Sequence, residues 1–373
     1  MRRSPKRAII VVTILIFLLA VVTLYYYYNI HNSYTNSKLS PRPLATVINN
    51  IQQSVPLKKS IGSSVTTPSQ SESTLIISRG SNLKSNAAQP YNFLYVLNYN
   101  TTTISKCLIN SKNGSLSSCE NTTGRGFNAP TGIAFNTKRT MVYITNTGTD
   151  SVSLCKINSK TGAFEGCDTT GYGFSSPSGI DINNRDSIAY VTNLGDNSIS
   201  RCLVDQATGE LSQCTEVIQN LAGPTDIHLD EYNAYIYITQ SNADIVTLCT
   251  IDVRTWTLNN CINTGSGFNQ PQSIKLNKTG SYAYVANEGS NLVSLCKVNN
   301  VTGELYSCDY TGTGFDDISD ITFNENSDYA YIANETGISV CIKNRSTGIL
   351  SNCTRSGSGF NSPSGVEIYT TKP

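Results

Sequence analysis

The chain has 373 residues, a formal net charge of +1 at pH 7, 14% charged residues, twelve cysteines and two histidines. So weak and balanced a charge gives no electrostatic basis for binding nucleic acid. With His31 and His228 its only histidines and no C-x-x-C pair, it also lacks the usual material of a zinc site.

The chain opens MRRSPKR, four basic residues ahead of an uncharged apolar run over residues 8–24 and then four tyrosines. The run is long enough to span hydrocarbon, and tyrosines suit the membrane–water interface. A cleaved signal peptide is the rival reading, but the run is long for one and no small-x-small cleavage site follows it. Residues 1–28 are therefore predicted to be a cytoplasmic stub and transmembrane anchor. The positive charges precede the span, which keeps the N-terminus cytoplasmic and exports the rest to the periplasm or extracellular space. Residues 29–90, rich in Ser, Asn, Thr, Gln and Pro, read as a flexible linker.

From residue 91 onward the chain is built of repeats. The cysteines come in six pairs, each twelve positions apart: Cys107 and Cys119, Cys155 and Cys167, Cys202 and Cys214, Cys249 and Cys261, Cys296 and Cys308, Cys341 and Cys353. The first members are spaced 48, 47, 47, 47 and 45 residues apart, which marks an array. Each unit holds four strand-like runs, as in TGIAFN, YITN, VSLCKIN and GAFEGC, with β-branched and aromatic residues alternating between Gly, Asn and Asp. Four short antiparallel strands per unit make a β-propeller blade. The repeat region opens on a second-type run, FLYVLN, and ends on an unpartnered first-type run, SGVEIY. The last strand should therefore complete the first blade. The predicted fold is all-β, a six-bladed β-propeller over residues 91–373 closed by its C-terminal strand.

The segment AYVTNLGDNSIS, residues 189–200, resembles the repeat of YVTN-type β-propellers, which are similar in turn to lactonase-like propellers. The resemblance covers all six units and implies the propeller fold. It implies little about function, because one fold carries many activities. Many relatives have seven blades where this chain supplies six.

With a turn between the third and fourth runs, the paired cysteines fall on neighbouring antiparallel strands within disulfide range. Export agrees with six intrablade bridges. The G-x-G stretches such as TGRGFNAP precede a strand and no helix, so they read as turns, not phosphate cradles. Phe127, Phe174, Phe268, Phe315 and Phe360 are expected to pack between blades. Asn98, Asn146, Asn193, Asn287 and Asn334, with Gln240 once, end the second strands and should bond turn backbone.

In the first strands, apolar positions flank one position that reads Ala134, Asp181, His228, Lys275, Thr322 and Glu367. Unlike polar residues at equivalent places suggest a solvated central channel. Asp181, His228, Lys275 and Glu367 are the candidate ligand-binding residues, suited to a small polar ligand or a cation. No catalytic set and no resident metal or cofactor is expected; Ca²⁺ would suit the carboxylates if they converge. The sequence thus points to a membrane-anchored, exported, non-enzymatic scaffold that binds a protein or envelope partner. The alternative is a lactonase-like hydrolase or lyase acting at the channel mouth.

Overall fold

The computed structural model describes residues 91–371, apart from Thr123, Glu325 and Ser327. The expected anchor over residues 1–28 and linker over 29–90 lie outside the described residues. Among those described, no helix is long and apolar enough to cross a membrane.

The described residues form six four-stranded antiparallel sheets. Five take four consecutive strands. The sixth, blade one, joins the C-terminal strand Pro363–Thr370 to Asn92–Asn98, with Val96 opposite Val366 and Leu94 opposite Ile368. This is the closure expected from the sequence, and it buries Val366, Ile368 and Tyr369. The remaining inner strands are Pro130–Phe135, Pro177–Ile182, Pro224–Leu229, Pro271–Leu276 and Asp320–Phe323, in blades two to six.

The core is divided among the junctions. Six apolar clusters each join two neighbouring blades; one holds Leu97 and Ile104 of blade one with Ile133, Val142 and Ile144 of blade two. A tyrosine in every second strand reinforces them. Tyr143, Tyr237, Tyr284 and Tyr331 donate to the carbonyls of Gly209, Gly303, Gly348 and Gly114 in the next blade at 2.7–2.9 Å. Tyr95 donates likewise to Gly162, and Tyr190 to Trp256, which stands where the other turns have glycine. These rings are fully buried, and burial raises the pKa of each hydroxyl, so all six stay protonated donors.

All six predicted disulfides form, each with Cα atoms 4.0 Å apart. The register differs from simple facing positions. Leu154 pairs with Asp168 and Lys156 with Glu165, so Cys155 faces both Gly166 and Cys167 across a β-bulge. The bulged residue is left-handed in every blade: Ser118, Gly166, Gln213, Asn260, Ser307 and Asn352 have φ of 48–56°. Each bridge thus pins an outer strand that has a neighbour on one side only. The connector phenylalanines pack over these bridges. A Cβ added to Gly124 would lie 2.6 Å from the Phe127 ring and 3.0 Å from Cys167 Sγ, so the G-x-G glycine makes room for ring and sulfur. In blade four Leu221 takes the aromatic's place.

The second-strand amides act as clamps. Asn193 Nδ2 donates to Ser198 and Ser200 of the third strand, while Oδ1 accepts from Ser175 N in the preceding connector. Asn146, Asn287 and Gln240 repeat the pattern. These residues are buried and satisfied within the fold, which leaves no ligand row among them.

Candidate functional site at the channel mouth

Alternate side chains of the inner strands point between blades and into the central bore. The mouth level carries Ala134, Asp181, His228, Lys275, Thr322 and Glu367, as expected, and these line one cavity of about 540 Å³. Two residues earlier on each strand lies a second level: Gly132, Gly179, Asp226, Ser273, Asp320 and Gly365. All of these but Gly365 line a smaller cavity of about 190 Å³ toward the other face, which Lys275 also borders. The strands are close here. At Gly132 an added Cβ would fall 2.4 Å from Ser178 O of the next blade.

The structure brings the four candidate residues together as two pairs. Lys275 Nζ lies 3.3 Å from Glu367 Oε2, and His228 Nδ1 lies 3.4 Å from Asp181 Oδ2. The His228–Asp181 contact is poorly aligned, since buried Nδ1 has no hydrogen-bond partner. Asp181 is firmly held, accepting from the amides of Leu229 at 2.9 Å and Ile182 at 2.8 Å. Burial works against its charge, but His228, Lys275 and the Leu229 amide outweigh burial and hold the carboxyl below its ordinary pKa.

Two carboxylates of the bore escaped the sequence reading. Asp226 accepts from Ile274 N at 3.0 Å, and Asp320 from Val366 N at 2.8 Å and from Ser273 Oγ. Both reach the inner strand of the next blade, as Asp181 does. The signal was present in TDIHLD and SDITFN, one alternation before the position singled out. The charges of the bore are therefore not scattered. Its carboxylates stitch neighbouring inner strands together and surround the Lys275 ammonium. Burial disfavours the charge of Lys275, yet Glu367, Asp226, Asp320 and Asp181 together raise its pKa, so it stays protonated. Burial pushes Asp320 up to about 7; Lys275 opposes that shift and Asp226 adds to it.

Lys275 occupies the place a cation would take among these carboxylates. Among the described residues, the acidic trio whose ligand atoms come within 4.8 Å of one another is Asp316, Asp317 and Glu335, all exposed and outside the bore. Asp181, Glu367 and His228 form no such trio.

Comparison with known proteins agrees with this architecture. A family described as "Lactonase, 7-bladed beta-propeller" matches residues 85–265 and 220–316. The periplasmic gluconolactonase of Pseudomonas aeruginosa superposes with a TM-score of 0.61 at 12% identity, covering 76% of this chain and 100% of that one. A putative 6-phosphogluconolactonase from Bacteroides uniformis gives 0.57 at 14% identity, covering 75% and 100%. A chain from a nidogen/laminin complex gives 0.60 at 14% identity, covering 74% and 98%. At such identities the likeness shows the fold alone. None of the curated proteins matches this chain.

Proposed function

This chain belongs to the lactonase, 7-bladed β-propeller family, and we propose that it hydrolyses a small cyclic ester at the wide mouth of its channel. The observation that carries this reading is the Asp181–His228 pair set beside Lys275 in a cavity of about 540 Å³, a size that suits a small ligand. With Nδ1 turned toward Asp181, Nε2 is the nitrogen left to take a proton from water. The resulting hydroxide attacks the ester carbonyl, and the ring C–O bond breaks as imidazolium returns the proton to the leaving alkoxide. Asp181 stabilises the imidazolium, and the Lys275 ammonium, in the same cavity, stabilises the developing oxyanion. The Asp181–His228 contact must tighten when the ligand binds, as loose catalytic contacts do.

The test is a pH-stat assay of the full chain, purified in detergent, with glucono-δ-lactone as probe. His228→Gln should lower kcat by about 10²- to 10⁴-fold. An unaltered rate in that variant, or no acceleration by the native chain, would overturn the reading.

The membrane-anchored scaffold is the second reading, favoured by large apolar side chains left exposed on the turns: Tyr172 at 83%, Tyr232 at 78% and Val301 at 82%. The six disulfides suit an oxidising compartment outside the cytoplasm under either reading. Crosslinking in the native envelope separates the two. A captured partner lost on Tyr232→Ser, with no lactone turnover, would favour the scaffold.

A further inference from the structure

A cavity of about 570 Å³ lies beside the mouth, between blades five and six. It holds four cationic side chains, Lys278, Lys297, Lys343 and Arg345, with two tyrosines, Tyr282 and Tyr306. None of the described residues lining it is acidic. Lys278 lines both this groove and the channel mouth, so the two open onto one face.

Two departures from the repeat supply half of the groove's cations. The first is Lys343. Its equivalents in blades one to five are Ile109, Ile157, Val204, Ile251 and Val298, all buried at 6–8% exposure. Blade six puts a lysine of 5% exposure into that aliphatic slot, with Nζ 5.9 Å from the Tyr284 ring centroid and 5.7 Å from that of Phe323. Burial lowers its pKa from the ordinary 10.5 and Arg345 adds to this, against the opposite pull of Asp328. Burying a charge where five blades bury a hydrocarbon is costly, and the junction would pack without it. The second departure is Lys297, where blades one, three, four and six have Leu108, Leu203, Thr250 and Ile342. Lys156, its equivalent in blade two, faces Glu165 across the sheet. Lys297 instead lies between Tyr282 and Tyr306 on the two neighbouring strands, with no carboxylate opposite. Arg345 is anchored by a forked pair with Asp328, Nη2 donating to Oδ2 at 2.7 Å, which fixes its guanidinium at the rim.

Cations in a concavity meet an oxyanion; tyrosine faces take the C–H face of a sugar ring; Asn300 can bond its hydroxyls. We propose that the groove between blades five and six is a binding site for an acidic saccharide, a sugar bearing a carboxylate or phosphate. It does not depend on hydrolysis in the bore.

The experiment is calorimetric titration of the full chain in detergent at low salt, with glucuronate, glucose 6-phosphate and glucose as probes. At least one acid should bind tenfold or more tighter than glucose, and the tighter acid identifies the group recognised. Lys297→Gln, at an exposed position, should weaken that binding tenfold or more, while Asp181→Asn in the bore leaves it within twofold. Lys343→Ile restores the aliphatic slot, so it should raise Tm and weaken binding together. Equal affinity for glucose, no binding of either acid, indifference to Lys297→Gln, or loss on Asp181→Asn would each overturn the proposal.

Discussion

At the rim, each of the six outer strands carries the same disulfide, the same left-handed bulge and, in five of six approaches, the same phenylalanine. At the bore, the six inner strands share a backbone path but present Ala134, Asp181, His228, Lys275, Thr322 and Glu367 at one level. The rim repeats because each blade meets the same problem, an edge strand paired on one side only. The bore diverges because six side chains around one axis meet each other, so each can be chosen against its neighbours. Sameness marks what every blade needs for itself; difference marks what the ring does once assembled.

The largest test of that contrast removes the strand that turns six blades into a ring. Deleting residues 363–373 exposes the edge of blade one and removes buried Val366, Ile368 and Tyr369. Burying three such side chains contributes about 5–8 kcal/mol, so thermal unfolding should begin at least ~10 °C earlier. An unchanged Tm would mean that the ring is not closed there.

Next comes the rim. Replacing Cys155 and Cys167 by alanine opens one short loop and should cost about 3 kcal/mol, or roughly 5 °C. Because the blades repeat, the same double substitution in blade five should cost the same within about 1 kcal/mol. A strong difference between blades would break the equivalence of the rims. Peptide mapping without reductant should join each cysteine to its partner twelve residues away.

The bore should answer more weakly. Asp181→Asn with Glu367→Gln keeps the shapes but takes two charges from around Lys275 and His228. These groups are about a fifth exposed, so solvent screens them, and a loss of about 2 kcal/mol is expected in denaturant unfolding. No loss at all would restore the freely solvated bore that the sequence suggested.

The smallest effect is a pH dependence. Folded Asp320 holds its proton to about 7, against an ordinary 3.8, so the folded state binds the extra proton between those values. Its contribution to stability is therefore intact below about pH 4 and is lost as pH rises toward 7. Asp320→Asn should raise Tm by about 1–3 °C at pH 8 relative to the native chain and change it little at pH 4. An equal shift at both pH values would show that Asp320 does not titrate in this range.

The propeller was legible because strand alternation and a fixed repeat are local signals, and the cysteine offset survives in every copy. Closure was legible too, from a first-type strand stranded at the end of the chain. The bulge was not, since Ser118, Gln213 and Asn352 announce no left-handed residue and the offset of twelve fits a plain hairpin as easily. The tyrosine ring was written in every second strand, but its acceptor is a carbonyl more than sixty residues away. Asp226 and Asp320 were passed over because alternation was followed at one level of the bore and not at the level beside it.

By itself the sequence determined the period, the strand types, the paired cysteines and the end-to-end closure, since each depends on spacing along one chain. Tertiary structure alone decided which charges meet. Lys275 and Glu367 lie 92 positions apart and pair only because the ring brings blade five and blade one to the same bore. Lys343 reads as one more strand lysine until its slot is found to be aliphatic in the five other blades. Charge pairing and burial depend on distance through space, which sequence separation does not encode.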